Sequence, residues 1–328
     1  MQLLERNQVG KVESFEELVA VVDTGATPVT SKLPKGKKQT QALHNWQVKE
    51  YQDLDLKGTP DGKDVTDVDH NSREILQMYW QYFRHAFGIS TLAGESSVHG
   101  VKGEMAEQTL DAFVAFKRMI ERRLVSGLPV RMQDDGVRGT EFRGMFDWLT
   151  PAAQADLPVP DGFRPSSTYS GTLANFDEDE FKALIRACYK ETKGPVTLDA
   201  VVGIDLKAAM DLMLTYRTDK TDKTVVQCLD KSRNRVFEDL VEVFRVAGGT
   251  VNVQEHPFLR YNENGTESAG THLSGLFLNM KMWKLNWNRA PNRHKLENRG
   301  GGEKAYIDAL CNLICLNPLG QRAAPIDS

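Results

Sequence analysis

Residues 38–51 and 75–89 are two strand-like runs on either side of a long polar stretch, and a chain built this way must find cover for them elsewhere. In the first run Thr40, Ala42, His44, Trp46 and Val48 fall on one face. Gln41, Asn45, Gln47 and Lys49 fall on the other, with Leu43 the exception. The second run is rich in aromatic and branched side chains, which favours strand. Within it Leu76, Met78, Trp80 and Tyr82 alternate with Gln77, Tyr79 and Gln81, although a helix also fits. Residues 53–73 between them hold Gly58, Pro60 and Gly62 together with Asp53, Asp55, Asp61, Asp64, Asp67 and Asp69. The expected unit is an extended hairpin. A lone hairpin carrying Trp46 and Trp80 has no core of its own, so it requires a partner surface. Lys32, Lys35, Lys37 and Lys38 make its root basic. They can meet nucleic acid or the acidic tip of a neighbouring copy. The second reading is preferred, because one hairpin carries both signs.

The rest of the chain mixes helix and strand irregularly. Residues 14–22 fit a short helix, with Ser14 and Glu17 spaced as a capping box, and residues 24–28 break it. Residues 98–124 form the clearest helix. Phe113, Phe116, Ile120 and Leu124 keep one apolar stripe, while Lys117, Arg118, Glu121 and Arg122 are expected to stay wet. Its length would be about 35–40 Å, suited to a strut. Residues 128–165 are rich in Gly and Pro around an apolar island at 142–149. A helix over 177–190 starts with acids in its first turn. A buried strand over 196–204 leads to a helix over 206–216. Residues 235–246 and 251–254 flank Gly248 and Gly249, and apolar strand-like runs cover 276–285 and 305–316. Without regular βαβ alternation, the class is α+β.

The chain has 328 residues, 40% of them hydrophobic, enough core for one large domain or two smaller ones. No window approaches the ~20 apolar residues of a membrane span, and residues 1–10 are polar, unlike a secretory signal. A soluble protein made in a cytoplasm is the expectation. A net charge of −4 argues against tight nucleic-acid binding as the main task. Of Cys188, Cys228, Cys311 and Cys315, the last two form the single close pair, and C-x3-C is not a zinc site. All four read as small buried hydrophobes.

The catalytic templates fail one by one. A phosphate loop would need wider glycine spacing than Gly58 to Gly62, and a hydroxyl where Asp64 follows Lys63. Asp67, Asp69 and Asn71 open like a calcium loop, but Ser72 occupies its glycine position and Met78 its glutamate position. Ser96 near His99 is not a triad. G-x-S-x-G and H-E-x-x-H are absent. The histidines are scattered, and the run Gly300, Gly301, Gly302 reads as a turn, not an anion cradle. No catalytic residue, cofactor or metal is expected, and the chain does not read as an enzyme.

Several segments, in order, carry a resemblance. Thr27 and Pro28, then Leu33, Pro34, Lys35, Gly36 and Lys37, resemble an N-arm leading into an E-loop. Trp46 is similar to the tryptophan of the first E-loop strand, and Gly62, Lys63, Asp64 and Val65 to its tip. Asn71 to Ile75 with Gln77, then Gly88, Ile89, Ser90 and Thr91, resemble the returning strand. Residues 139–148 (GTEFRGMFDW), 199–204 (DAVVGI), 277–287 and 303–317 complete the order. Together they resemble the major capsid protein family typified by bacteriophage SU10, whose members have the HK97 capsid fold. The chain departs from that pattern at Pro60, Asp61 and Gly62, at Cys311 and Cys315, and in the length of 128–165.

The resemblance implies an N-arm (1–32), an E-loop (33–90) and a peripheral domain with the spine helix (91–165). A mainly axial domain (166–250) and C-terminal peripheral strands (251–328) follow. It implies a structural shell protein, self-assembling into pentamers and hexamers that enclose double-stranded DNA in a virion, assembled in a bacterial cytoplasm. A scaffolding protein, a portal and a decoration protein are the implied partners; little chain precedes Pro28, so either separate scaffolding or processing of the N-terminus is expected, the first preferred. Lys35, Lys37, Lys38, Trp46, Asp61, Asp64 and Trp80 are the expected inter-subunit contacts. The alternatives are an encapsulin-like compartment shell and an α+β hydrolase.

Overall fold

A computed structural model describes residues 27–38, 41–51, 53–54, 56–58, 61–62, 64, 71, 73–96, 103–150, 156–215 and 242–327. The helices are α1 (Pro28–Lys32), α2 (Thr91–Glu95), α3 (Glu104–Leu124), α4 (Met145–Trp148), α5 (Glu178–Thr192) and α6 (Ile204–Thr215). The strands are β1 (Leu43–Lys49), β2 (Arg73–Tyr79), β3 (Gln81–Ile89), β4 (Val196–Val202), β5 (Val243–Val246), β6 (Gly249–Glu255), β7 (Gly275–Leu278), β8 (Trp283–Lys295), β9 (Glu303–Cys315) and β10 (Arg322–Ala324). Three sheets result: β1-β2, the five-stranded β10-β7-β4-β6-β5, and the three-stranded β3-β9-β8. The described chain forms two compact units, one from Arg84–Arg118 and Pro291–Asp308, the other from Thr27–Phe83, Met119–Ala290 and Ala309–Ser328.

The second unit holds the main core. β4 is its central strand, parallel to β6 and antiparallel to β7. α5 places Phe181, Leu184, Ile185 and Cys188 against the sheet, and α6 adds Leu206 and Met210. The Phe181 ring lies 5.3 Å from Phe244 and 5.9 Å from Phe277. Asp177 caps α5 by accepting from the Glu180 amide at 2.9 Å, which satisfies an amide the helix start leaves free. Between β4 and α6 the chain passes Gly203, where a Cβ would stand 2.1 Å from the His272 carbonyl oxygen, so only glycine fits. An expected domain limit at 250 cuts through β6, and β6, β7 and β10 draw the five-stranded sheet partly from 251–328.

Several expectations need correction. Residues 75–89 are strand, not helix, but not one strand. The run breaks at Trp80, and its halves join different sheets: β2 pairs with β1, while β3 lies beside β9. The stretch 276–285 divides in the same way, with a 3-10 turn at Met280–Met282 separating β7 from β8. β1 is also shorter than 38–51. α3 starts at Glu104, which makes it about 31 Å long; residues 97–102 lie outside the described residues. Phe116, Ile120 and Leu124 are buried as the stripe requires. Glu121, expected to stay wet, is 0% exposed. The apolar island holds: Phe142, Met145, Phe146, Trp148 and Leu149 are all buried. The expected helix over 14–22, the acids Asp55, Asp67 and Asp69, and residues 235–241 fall outside the described residues.

Cys188, Cys311 and Cys315 are free and buried, as small hydrophobes would be. Burial pushes the Cys188 thiol up to about 11 and raises the Cys311 and Cys315 thiols as well. Among the described residues no helix is long and apolar enough to cross a membrane.

Candidate assembly surface

The β1–β2 hairpin is held at its root. β1 and β2 pair antiparallel from Leu43↔Tyr79 to Lys49↔Arg73. Alternation then sends His44, Trp46 and Val48 to one face and Asn45, Gln47 and Lys49 to the other. The opposite strand contributes Leu76 and Met78, which are 2% and 0% exposed, to the inner face.

Trp46 anchors this face. Its indole Nε1 donates to the Cys315 carbonyl at 3.1 Å, and its ring lies 5.9 Å from that of Trp148. The His44 ring lies 5.6 Å from Trp46 and 6.4 Å from Trp80. Burial lowers the His44 pKa, which favours the neutral imidazole among these rings. Trp80 Nε1 donates to the Gln41 carbonyl at 2.7 Å, and Thr140 Oγ1 donates to the Trp80 carbonyl at 2.7 Å. The expectation that both tryptophans lack cover in their own chain is therefore corrected. Trp80 is 5% exposed and Trp46 half-buried, because the backbone break at Trp80 turns that indole into the body.

The charged residues lie elsewhere. Lys35, Lys37 and Lys38 are exposed before β1; Asp61 and Asp64 are exposed beyond it. None of these five makes an ion pair among the described residues. Lys35 also forms an isolated parallel bridge with Leu285, so its backbone is held while its ammonium stays in solvent. Asp53, expected to be free for a neighbouring copy, instead meets Lys193 Nζ of its own chain at 2.6 Å. That exposed pair is worth little.

Reading by periodicity missed the most exposed apolar side chains of the hairpin. Tyr51 and Leu54 are each 72% exposed, Leu56 is 100% and Ile75 55%. The signal was present: Leu54 and Leu56 are apolar residues inside an acidic stretch, where a purely solvated tip would carry none. Tyr51 keeps a cation beside it, with Lys49 Nζ 5.0 Å from its ring centroid. Beside the tip-ward end of the β1–β2 ladder a groove of about 470 Å³ is lined by Val48, Tyr51, Phe163, Thr192, Lys193 and Leu316, among others. Among the described residues, no group of three or more His, Cys, Asp or Glu is placed to hold a metal.

Comparison with known proteins points one way. A sequence model described as SU10 major capsid protein matches residues 4–320. No curated protein matches significantly. Among solved structures, the mature capsid of bacteriophage PhiM1 superposes with a TM-score of 0.64 at 13% identity, covering 96% of this chain and 92% of that one. The capsid of cyanophage P-SCSP1u gives 0.62 at 9% identity, covering 99% and 96%. The capsid of a native GTA particle gives 0.59 at 10%, covering 99% and 98%. Identities this low show the fold alone: an α+β fold of the HK97 capsid type.

Proposed function

The chain belongs to the SU10 major capsid protein family, a family of structural shell proteins, and from that premise we propose that its copies assemble into pentamers and hexamers of a closed icosahedral head around double-stranded DNA. Heterologous contacts that close into rings give such capsomers, each interface burying on the order of 1,600 Å². The observation that carries this reading is the hairpin: a root fixed by Trp46 and Trp80, and beyond it the exposed apolar side chains Tyr51, Leu54 and Leu56. A monomer gains nothing by holding apolar groups out on an arm, whereas a neighbouring copy would cover them.

In this reading residues 1–32 are the N-arm, 33–90 the E-loop and 91–165 peripheral, with α3 as spine. Residues 166–250 are axial, joined by the strands that 251–328 contribute to the five-stranded sheet. The remaining C-terminal strands are peripheral. Lys35, Lys37, Lys38, Asp61 and Asp64 supply charged contacts between copies. The net charge of −4 lets the shell enclose DNA without gripping its phosphates. A scaffolding protein, a portal and a decoration protein are the further partners, with assembly in the bacterial cytoplasm and no catalysis by this chain.

The test is a hairpin shortened at its paired end. Lys49 and Arg73 are Cα partners, so residues 50–72 are replaced by Asn-Gly, a turn suited to two-residue hairpins. The expected product is a folded subunit, by circular dichroism and sedimentation, that forms no shells in electron micrographs. Shells of normal size and yield from this variant would overturn the reading.

A further inference from the structure

α1 is a five-residue helix whose free amides are capped from a distant part of the chain. Pro28 sits at its start and the Thr27 side chain makes no capping bond. The amides of Val29 and Thr30, which have no partner within so short a helix, instead donate to Glu121. Val29 N lies 2.8 Å from Oε1 and Thr30 N 2.8 Å from Oε2, and the Thr30 hydroxyl also donates to Oε2. The fourth donor comes from the body. His256 Nε2 lies 2.9 Å from Oε1, while the Phe258 amide donates to His256 Nδ1 at 3.1 Å. With Nδ1 accepting, Nε2 carries the proton and donates to the carboxylate.

Both side chains are sealed, Glu121 at 0% exposed and His256 at 2%. Burial alone would raise the Glu121 pKa; the donors from His256 and Thr30 outweigh it and hold the carboxyl below its usual range. Three of the four donors belong to residues 29–30. If that segment left, a sealed carboxylate would retain one donor, so the segment and the charge hold each other. Val29 and Leu33, at 1% and 6% exposed, seat the same segment through packing. Just beyond it, Gly36 N donates to the Leu285 carbonyl at 3.1 Å and Leu285 N to the Pro34 carbonyl at 3.0 Å.

We propose that Glu121, oriented by His256, is a positioning residue: a latch that seats residues 27–33 and so sets the point from which the chain before Thr27 departs. Its consequence for assembly rests on the shell reading above, in which that chain is the N-arm. The latch is local. Its release frees the root of the arm without opening the sheet around β4.

Thr30→Val removes one latch donor and keeps the side-chain shape; Glu121→Gln removes the charge and sets an amide N–H against incoming donors. Amide hydrogen exchange of the full chain is followed for Val29 and Thr30 and for β4 and β6, with shell yield measured by sedimentation and electron microscopy. In Glu121→Gln the exchange of Val29 and Thr30 should rise on the order of ten-fold or more, the effect of losing a charge-assisted hydrogen bond. In Thr30→Val it should rise less. β4 and β6 should keep wild-type protection in both, and shells should become fewer or irregular. Unchanged exchange at residues 29–30 in both variants overturns the latch. So does loss of β4 and β6 protection in step with them in Thr30→Val, which would make the site general core packing. Released amides with normal shells overturn its role in assembly. A wild-type chain that forms no shells even with the scaffolding protein co-expressed refutes the shell reading instead, and the exchange data then judge the latch alone.

Discussion

The β1–β2 hairpin and the sheet around β4 are built from the same local pattern and end differently. Both alternate apolar and polar residues. β4 has a strand on each side and helices α5 and α6 against it, so Leu198, Ala200 and Val202 are 0% exposed. In the hairpin, Leu76 and Met78 are buried on the inner face, but Ile75 between Glu74 and Leu76 is 55% exposed. What separates the two regions is the number of neighbours the tertiary fold supplies, not propensity. The sheet's stability is complete within one chain; the hairpin is anchored at one face and left open at the other.

The largest test of that contrast is in the sheet. Phe277, 0% exposed and packed on Phe181, should cost about 3–5 kcal/mol when changed to Ala, read from urea denaturation. A loss under 1 kcal/mol would show that the sheet is not the stability centre.

A second test examines the hairpin's seat. Asp147 lies on α4 next to Trp148, which packs on Trp46. Burial raises its pKa from 3.8 to about 6, partly opposed by Arg143 and Arg123. A carboxyl with a raised folded pKa binds protons more readily folded than unfolded. Its penalty is therefore full above about pH 6 and fades as the pH falls toward 4. At neutral pH the penalty is at most ~3 kcal/mol. Asp147→Asn should raise stability at pH 7 and flatten the dependence between pH 7 and 4, measured by denaturation at a series of pH values. A variant less stable at pH 7 with an unchanged profile would contradict this.

The smallest stability effect belongs to the arm. Leu54→Ser and Leu56→Ser should change folding stability by less than ~0.5 kcal/mol, because both side chains are already in solvent. Shell yield should nevertheless fall. Destabilisation beyond 1 kcal/mol would mean these residues are packed in the subunit after all.

Much of the fold was legible. The stripe of Phe116, Ile120 and Leu124, the acidic start of α5 and the turn at Gly248 follow from local chemistry, and the structure has each. The breaks at Trp80 and at Met280–Met282 were not legible, because either half of a run alternates correctly whichever sheet it joins. At the candidate surface, the exposure of Lys35, Lys37, Lys38, Asp61 and Asp64 could be read, but not the cover over Trp80 or the pairing of Asp53 with Lys193. Glu121 misled for a physical reason. It sits among Lys117, Arg118 and Arg122 on a helix, where periodicity reads charge as solvent-facing, and four donors from residues 91 to 135 positions away bury it.

The sequence alone therefore determined the class, the long helix α3, the hairpin and the order of segments that marks the capsid family. Periodicity and turn chemistry act over a few residues, and those features need no more. The tertiary structure decided which sheet takes each half of a split run, that Trp80 turns inward while Leu56 stays out, and that residues 27–33 close over Glu121. Those outcomes depend on contacts between residues far apart in the chain, and local patterning does not specify such partners.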